Sequence, residues 1–333
     1  MALAELLQEW GEPAFRLRQI QDWKYRKMAC GYAEMGNLPR ALRERLAAAE
    51  PLLAVQAIDE RQSSDGSACK ALLQLADRQL VESVLMRHDY RNTVCVSSQA
   101  GCKMRCSFCA TGHGGWRRNL SGQEIADQAV FFAQRLHREG SRVTNVVFMG
   151  MGEPLDNYDG VIEAIHLLNG PFGLAARGIT VSTCGLAPEI ERLAEEPVQV
   201  NLAVSLAATT DDARGELIPV NRRWPIATLL AACDLYARRT HRRVTYEFVL
   251  IAGVNDSPAE AERLAGLLHG RLAHVNLIPL NPVEGDAFRR PDEAAVRRFE
   301  AVLRGQRLPV SVRYSKGVDI VAGCGQLRAE RAG

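Results

Sequence analysis

Short apolar segments alternate with amphipathic segments along most of the sequence, from residue 93 to residue 314. The apolar segments have the length and the β-branched content of buried strands. They are Thr93–Ser97, Val143–Met149, Gly178–Ser182, Val198–Leu206, Val244–Ile251, His274–Pro279 and Val310–Tyr314. Several segments between them begin with helix-start signals, such as the capping box of Ser121 and Glu124, and Ser257 before Pro258. Because repeated strand–helix units build a parallel sheet, the sequence predicts an α/β fold, as a partial or complete (β/α) barrel, with a doubly wound open sheet as the alternative.

Two regions precede these units. Residues 1–48 have helical character and are rich in Lys and Arg, and Leu38-Pro39 divides them, which predicts a small N-terminal helical domain. Its basic face is either a solvated surface or a contact for nucleic-acid phosphates. In residues 54–90, the segments Lys70–Leu75 and Gln79–Leu85 flank a turn, which predicts a β-hairpin. We therefore expect an N-terminal domain (1–48), a hairpin extension (54–90) and a barrel domain (91–333).

The composition is that of a globular chain and excludes several classes of protein. The 333 residues, 47% of them hydrophobic, are enough to bury a core. We find neither an apolar run of about 18 residues nor a secretory signal, and therefore expect a cytoplasmic protein without a membrane anchor. The net charge is only +2, so a nucleic-acid partner would have to be bound by local basic patches.

The cysteines carry the strongest chemical signal. Their number, nine, is odd, and without export they are expected to be metal ligands, catalytic thiols or packing residues. Cys102, Cys106 and Cys109 form a CxxxCxxC motif within GCKMRCSFCATG. Three thiolates this close together can bind zinc or an iron–sulfur cluster. A structural zinc site normally takes a fourth ligand from a second paired motif, which the sequence lacks, so we favour a four-iron cluster with one iron open to a substrate.

This motif, with Phe108 before its third cysteine, resembles that of the radical S-adenosylmethionine (radical SAM) superfamily. Further stretches along nearly the whole chain are similar to the RlmN and Cfr family of RNA adenine methyltransferases. These are VESVLMR, CVSSQAGCKMRCSFCATG, VVFMGMGEPLDN, STCGLAP, AVSLAATTDDARGELIPVN, VNLIPLNP and DIVAGCGQLR. The resemblance implies a barrel of the radical SAM type, a [4Fe-4S] cluster on the three cysteines, and two molecules of S-adenosylmethionine per turnover.

The resemblance also implies which residues bind S-adenosylmethionine. They are Gly152 and Glu153 in GMGEP, Ser182, Ser205, Leu206, Ala207 and Asn281. The family usually has histidine where this chain has Ala207. If an imidazole takes part in binding, the affinity for the cofactor is lower here.

Three further residues match the family's catalytic residues. The resemblance implies that Cys324 is methylated by one S-adenosylmethionine and that its methyl group, activated by a radical, is added to the adenine. Cys95 would then attack the sulfur of Cys324, release the base and leave a transient disulfide. Glu82 matches the proposed proton acceptor, although Cys95 is the alternative for that role. The remaining cysteines match no residue with chemistry and are expected to be packing or surface thiols: Cys30, Cys69, Cys184 and Cys233.

The substrates that the resemblance implies are 23S ribosomal RNA and transfer RNA, methylated at carbon 2 of adenosine. Methylation at carbon 8, a radical reaction on a non-RNA substrate, and a zinc-stabilised RNA-binding protein remain alternatives. We further expect an electron donor such as flavodoxin and a monomeric state. Trp116 is a candidate to stack on a base, and the arginine doublets are candidates for phosphate contacts. The doublets are Arg117-Arg118, Arg222-Arg223, Arg238-Arg239, Arg242-Arg243 and Arg289-Arg290.

Overall fold

The computed structural model describes residues 3–283, 285 and 287–329. The α-helices of the described residues are α1 (Leu3–Glu9), α2 (Phe15–Tyr25), α3 (Arg40–Ala49), α4 (Ala110–His113), α5 (Gly122–Arg138), α6 (Tyr158–Asn169), α7 (Ala187–Leu193), α8 (Asp211–Leu217), α9 (Ile226–Thr240), α10 (Pro258–Leu268) and α11 (Glu293–Gly305). The strands are β1 (Val55–Gln62), β2 (Ala68–Leu75), β3 (Leu80–His88), β4 (Arg91–Cys95), β5 (Gln99–Gly101), β6 (Trp116–Asn119), β7 (Asn145–Phe148), β8 (Ile179–Thr183), β9 (Asn201–Ser205), β10 (Val244–Leu250), β11 (Ala273–Pro279) and β12 (Val310–Val312). Within the described ranges, no helix is both long and apolar enough to cross a membrane.

Ten strands form one sheet, and apart from the separate β5–β6 ribbon they follow one another in chain order. From β4 through β7 to β12 all neighbours pair in parallel, which confirms the predicted strand–helix units. A doubly wound sheet would reverse its strand order, so that alternative is wrong. Met86 on β3 and Ser311 on β12 line the same cavity although they lie far apart in the sheet, which means that the sheet is curved. Since β12 pairs only with β11 among the described strands, the barrel is a partial one.

The predicted hairpin is present as β2 and β3, but it is part of the main sheet. β3 pairs antiparallel with β4, so the hairpin extends the barrel wall. A further strand, β1, precedes it and pairs with β2. β1 is not predictable from its segment, VQAIDERQ, because the segment is mostly exposed and polar, and an edge strand of this kind has little hydrophobic alternation.

The C-terminal segment, residues 313–329, runs from β12 back to β2 and β3 across the open side of the barrel. The backbone N–H of Ser64 donates to Asp319 Oδ2 at 2.8 Å, and Lys70 Nζ donates to the carbonyl oxygen of Val321 at 3.1 Å. Further along, the N–H of Arg328 donates to Glu82 Oε2 at 2.8 Å. These bonds hold the segment that carries Cys324 against the interior of the barrel.

The N-terminal helices have a hydrophobic core of their own and dock on α5 through a buried ion pair. Lys24 Nζ on α2 lies 2.9 Å from the carboxylate of Asp127 on α5, and the two side chains are 8% and 0% exposed. The same lysine donates to the carbonyl oxygen of Leu52, and Asp127 accepts from the N–H of Ala54. The helix α5 itself begins at the predicted capping box, in which Ser121 Oγ accepts from the backbone of Glu124.

We expect Lys24→Met to destabilise the protein by about 3–5 kcal/mol, because it leaves the carboxylate of Asp127 buried without its cation. The measurement is denaturant unfolding followed by circular dichroism. Lys27→Met is the matched control, since Lys27 makes an exposed ion pair with Asp22 that is worth about 1 kcal/mol or less. Equal effects of the two substitutions would contradict a role of Lys24 in docking.

Candidate active site

A cavity opens at the carboxyl ends of β7 to β11, and the three motif cysteines line it. Cys102 directly follows β5 and Cys109 precedes α4, so a short loop presents all three thiols to the same space. Burial raises the pKa of Cys109 to about 11, with a smaller contribution from the neighbouring thiolate of Cys106. Burial also raises the pKa of Cys102. Without a bound positive centre, the thiols of Cys102 and Cys109 are therefore protonated at neutral pH.

The three motif thiols line one cavity and can hold a cluster between them. In the described ranges, no three His, Cys, Asp or Glu side chains converge closely enough to hold one metal ion. A four-iron cluster occupies the space between its ligands, so its thiolates stand farther apart than those around one zinc ion. The arrangement of Cys102, Cys106 and Cys109 around a common cavity fits such a cluster.

Gly152 and Glu153 form the wall of this cavity after β7. Gly152 has a φ of +100°, and a Cβ there would lie 2.6 Å from the Cβ of Gln99, so only glycine fits. The carboxylate of Glu153 is buried and accepts from the backbone N–H groups of Cys184 at 2.8 Å and Leu155 at 3.1 Å. Burial raises its pKa, and these hydrogen bonds oppose the shift. A carboxylate fixed in this way is a suitable partner for an ammonium group.

Ser182, Ser205 and Asn281 also line the cavity, at the ends of β8, β9 and β11. Asn281 Nδ2 donates to the carbonyl oxygen of Cys324 at 3.0 Å and to Ser315 Oγ at 2.7 Å. Its Oδ1 is buried and has no hydrogen-bond partner among the described residues. A buried acceptor without a partner is costly, so this amide fits a ligand that brings a hydroxyl or amino donor, as S-adenosylmethionine does.

Leu206 and Ala207 lie just outside the wall of the cavity and are fully buried. The carbonyl oxygen of Leu206 accepts from Arg214, and that of Ala207 accepts from Asn255 Nδ2 at 2.7 Å. Ala207 has a φ of +59°, which turns the chain at the end of β9. The replacement of the family's histidine therefore falls on a residue whose carbonyl already has a partner within the protein.

A second cavity, of about 700 Å³, lies at the amino ends of the same strands. Its volume falls within the range of about 300–1,000 Å³ that is common for ligand sites. Cys324 lines both cavities and so lies where they meet. The charged side chains in the wall of the second cavity are mostly basic, and Glu247 is the one carboxylate among its described residues. The cationic and imidazole side chains in its wall are His88, Arg91, Arg243, His274, Arg313 and Lys316.

Cys95, at the end of β4, lines the second cavity together with Cys324. Burial raises the pKa of Cys95 to about 12, the nearby Cys324 adds to the rise, and Arg313 opposes it. Burial also raises the pKa of Cys324, again opposed by Arg313. Both thiols are free, as are the other seven cysteines. The structure therefore brings the two predicted catalytic cysteines into one electrostatic environment in their reduced form.

Glu82 lies behind this site and lines neither cavity. Its Oε1 is 2.9 Å from Lys70 Nζ, and its Oε2 accepts from the backbone of Arg328. The role of Glu82 as a proton acceptor stays a prediction. In the structure this carboxylate fixes the C-terminal segment that carries Cys324.

Two residues at the site were not recognised in the sequence. Cys184, expected to be a packing or surface thiol, lines the first cavity, and its pKa is raised chiefly by a hydrogen bond with Cys106. Arg214 is fully buried and binds the carbonyl oxygens at the ends of β8 and β9. Cys30 is exposed, whereas Cys69 and Cys233 are buried away from both cavities.

The candidate RNA contacts have different surroundings. Arg118 is engaged by Asp77 and Glu124 at 2.6 and 2.8 Å, so its charge is already compensated within the protein. Trp116 is 37% exposed, and the ammonium group of Lys103 lies 4.2 Å from its ring centroid. Of the arginine doublets, Arg243 is the member that lines the second cavity.

Comparison with known proteins identifies the family. Residues 96–265 match the model of the Radical SAM superfamily, and residues 1–50 match the model of the ribosomal RNA large subunit methyltransferase N-terminal domain. A protein from Symbiobacterium thermophilum named "Probable dual-specificity RNA methyltransferase RlmN" is 47% identical over 98% of this chain and 88% of its own length. The chain belongs to the RlmN family of radical SAM RNA methyltransferases.

A second relative and a solved structure support the same family assignment. A Desulforudis audaxviator protein of the same name is 49% identical over 93% of this chain and 97% of its own length. A crystal structure of a radical SAM methyltransferase from Sphaerobacter thermophilus superposes with a TM-score of 0.95 at 52% identity, covering 98% of this chain and 97% of that one. The chain is thus an enzyme with the radical SAM fold, and its cofactors are a [4Fe-4S] cluster and S-adenosylmethionine. Its RNA substrate class excludes the zinc-stabilised binding protein and the radical enzyme on a non-RNA substrate.

Proposed function

We propose that the enzyme methylates carbon 2 of adenosine in 23S ribosomal RNA and in transfer RNA through Cys324. The observation that carries this proposal is the position of Cys324 where the two cavities meet. A thiol at this point can receive a methyl group from one end of the barrel and deliver it to a base at the other end. The dual-specificity names of the relatives favour two classes of RNA.

The residues of the first cavity bind and orient the cofactors. Cys102, Cys106 and Cys109 would hold the cluster, and Glu153 and Asn281 would hold the methionine part and a donor group of S-adenosylmethionine. When bound, these groups supply the methyl group and the radical chemistry. Deprotonated Cys324 would accept the methyl group from the sulfonium, and the rest of the cofactor would depart as a neutral thioether, which leaves the sulfur of Cys324 methylated.

The residues of the second cavity act on the RNA. A target adenine has to leave its stack to reach Cys324, and a cavity of about 700 Å³ with a mostly basic wall can admit a flipped nucleotide. Once the base is attached to the Cys324 methyl carbon, Cys95 is placed to attack the Cys324 sulfur. The S–S bond would form as the carbon–sulfur bond breaks, and the carbon would keep the electron pair and gain a proton to become the methyl group of the base; an external reductant then opens the disulfide. Glu82 or Cys95 would take the proton from the target carbon.

We further propose that the N-terminal helices bind RNA, that a flavodoxin-type protein donates electrons, and that the protein is a cytoplasmic monomer. Lys and Arg residues concentrated in residues 1–48 support the first point, because phosphate binding depends on local positive charge.

The test is methylation of defined RNAs by the anaerobically reconstituted enzyme. A fragment of 23S ribosomal RNA and a transfer RNA transcript are incubated with S-adenosylmethionine and a reductant, and the nucleosides are separated by mass spectrometry. We expect 2-methyladenosine in both RNAs. A product of 8-methyladenosine would assign the enzyme to carbon 8, and the absence of any methylated adenosine in both RNAs would refute the proposal.

A further inference from the structure

Two opposite charges in the wall of the second cavity do not pair with each other. Glu247 on β10 is 5% exposed, and Arg313, which directly follows β12, is half-buried. Both side chains line this cavity, yet no ion pair joins them. Charges inside a protein are costly unless they are paired. The arrangement therefore indicates a ligand that takes up both groups.

A chain of hydrogen bonds fixes the orientation of Glu247. His274 Nε2 is 2.8 Å from Ser311 Oγ, Ser311 Oγ donates to Asn276 Oδ1 at 3.1 Å, and Asn276 Nδ2 donates to Glu247 Oε2 at 2.9 Å. Asn276 thus presents its amino group to Glu247, which accepts, and its oxygen to Ser311, which donates. Ser311 thus uses its single proton, and His274 must donate from Nε2. The chain holds one carboxylate oxygen and leaves Oε1 available to a donor.

Arg313 is the complementary group. Its backbone N–H donates to the carbonyl oxygen of Leu277 at 2.8 Å, which anchors the residue beside β11. Its Nη1 has Met149 Sδ as a weak acceptor at 3.4 Å, and no carboxylate of the described residues pairs with the guanidinium. Its remaining donors are available to an acceptor in the cavity. Glu247 and Arg313 together present an acceptor beside a donor, next to Cys324.

Adenine has the matching pattern on its Watson–Crick edge, where the 6-amino group donates and N1 accepts. We propose that Glu247 and Arg313 read this edge of the target base: Glu247 accepts from the 6-amino group, and Arg313 donates to N1, the ring nitrogen bonded to carbon 2. This inference rests on the proposed function, since it takes the base to be an adenine that is methylated at carbon 2. Guanine would bring its carbonyl oxygen to the carboxylate and an N–H to the guanidinium, so the pair repels it.

The contact of Arg313 with N1 also prepares carbon 2 for reaction. A cationic donor on N1 withdraws electron density from the adjoining carbon. A carbon radical next to sulfur is electron-rich, so it adds more readily to a ring carbon whose electron density has been lowered in this way. The contact between Arg313 and N1 therefore both recognises the base and activates it.

The experiment uses the reconstituted holoenzyme and RNA oligonucleotides that carry adenosine, purine riboside, 1-deazaadenosine or 7-deazaadenosine at the target position. Single-turnover methylation rates and RNA affinities are measured for each. Because each analogue leaves one of the two buried protein groups without its partner, we expect purine riboside and 1-deazaadenosine each to react at least about tenfold more slowly than adenosine. We expect 7-deazaadenosine, which keeps the Watson–Crick edge, to react like adenosine.

Two variants assign each contact to its residue. In Glu247→Gln the preference for adenosine over purine riboside should fall to less than about threefold, and in Arg313→Met the preference over 1-deazaadenosine should fall likewise. A ratio of two rates measured with the same variant does not depend on the fraction of that variant that is folded. Lys316→Met, in the same cavity wall, is the control: it should weaken RNA binding while leaving all the ratios unchanged.

Each outcome decides the matter. A wild-type enzyme that methylates all four oligonucleotides equally overturns the inference, and so does a loss with 7-deazaadenosine in place of 1-deazaadenosine. Unchanged ratios in both variants overturn the assignment to Glu247 and Arg313. If no RNA is methylated but adenosine is still bound more tightly than purine riboside, the proposed reaction fails and the reading of the edge stands.

Discussion

Replacing Cys95 with alanine is expected to turn the enzyme into one that remains attached to its RNA. Cys95 and Cys324 line the same cavity and interact electrostatically, whereas no other described cysteine lines that cavity. In the proposed reaction the base is bonded through a carbon to the sulfur of Cys324, and only attack by a second thiol on that sulfur releases it. Without Cys95, we expect turnover to stop after the first addition, with a loss of at least about a thousandfold in the steady state.

The measurement is a denaturing gel with labelled RNA, followed by mass spectrometry of the cross-linked peptide. The adduct should map to the peptide that contains Cys324 and should be absent from the double variant Cys95→Ala/Cys324→Ala. Cys233→Ala is the matched control, because Cys233 is also a buried thiol but lies outside both cavities. Full turnover by Cys95→Ala, with no adduct, would refute the role of Cys95.

Regular local signals made the barrel predictable. The strand–helix units follow from apolar segments of fixed length, and α5 begins at the capping box that Ser121 and Glu124 indicate. β1 carries no such signal, since an exposed edge strand of mixed composition needs its partner β2 to form. That the C-terminal segment crosses back to Lys70 and Glu82 also depends on tertiary contacts, which local sequence does not encode.

Some residues of the site are likewise recognisable in the sequence, whereas others come together only in the folded structure. The cysteine loop and GMGEP are contiguous motifs, so their residues are recognisable one by one in the sequence. Glu247 lies on β10 and Arg313 follows β12, and in the sequence each alone resembles an ordinary charged residue. Their proximity arises because curved parallel strands bring alternate residues into one interior. The second cavity, which they line, has no contiguous motif and is visible only in three dimensions.

Replacing Arg214 with methionine is expected to loosen the end of the barrel that receives the cofactors. The guanidinium donates to the carbonyl oxygens of Cys184, Ser205 and Leu206 at 2.6, 2.9 and 3.0 Å. It also donates to Asn221 Oδ1 at 2.8 Å. The side chain is fully buried, so Arg214→Met removes the donor of all these oxygens at once. We expect a loss of about 3–5 kcal/mol in the free energy of unfolding.

The same substitution should weaken the binding of S-adenosylmethionine, because Cys184 and Ser205 belong to the cavity wall whose backbone Arg214 positions. Denaturant unfolding and calorimetric titration of the reconstituted enzyme measure the two effects. Arg214→Lys keeps the charge but has too few suitably directed donors for all four acceptors, so its loss should be intermediate. Arg222→Met, an exposed neighbour, should change neither quantity. If Arg214→Met and Arg222→Met unfold at the same denaturant concentration, Arg214 does not hold the strand ends together.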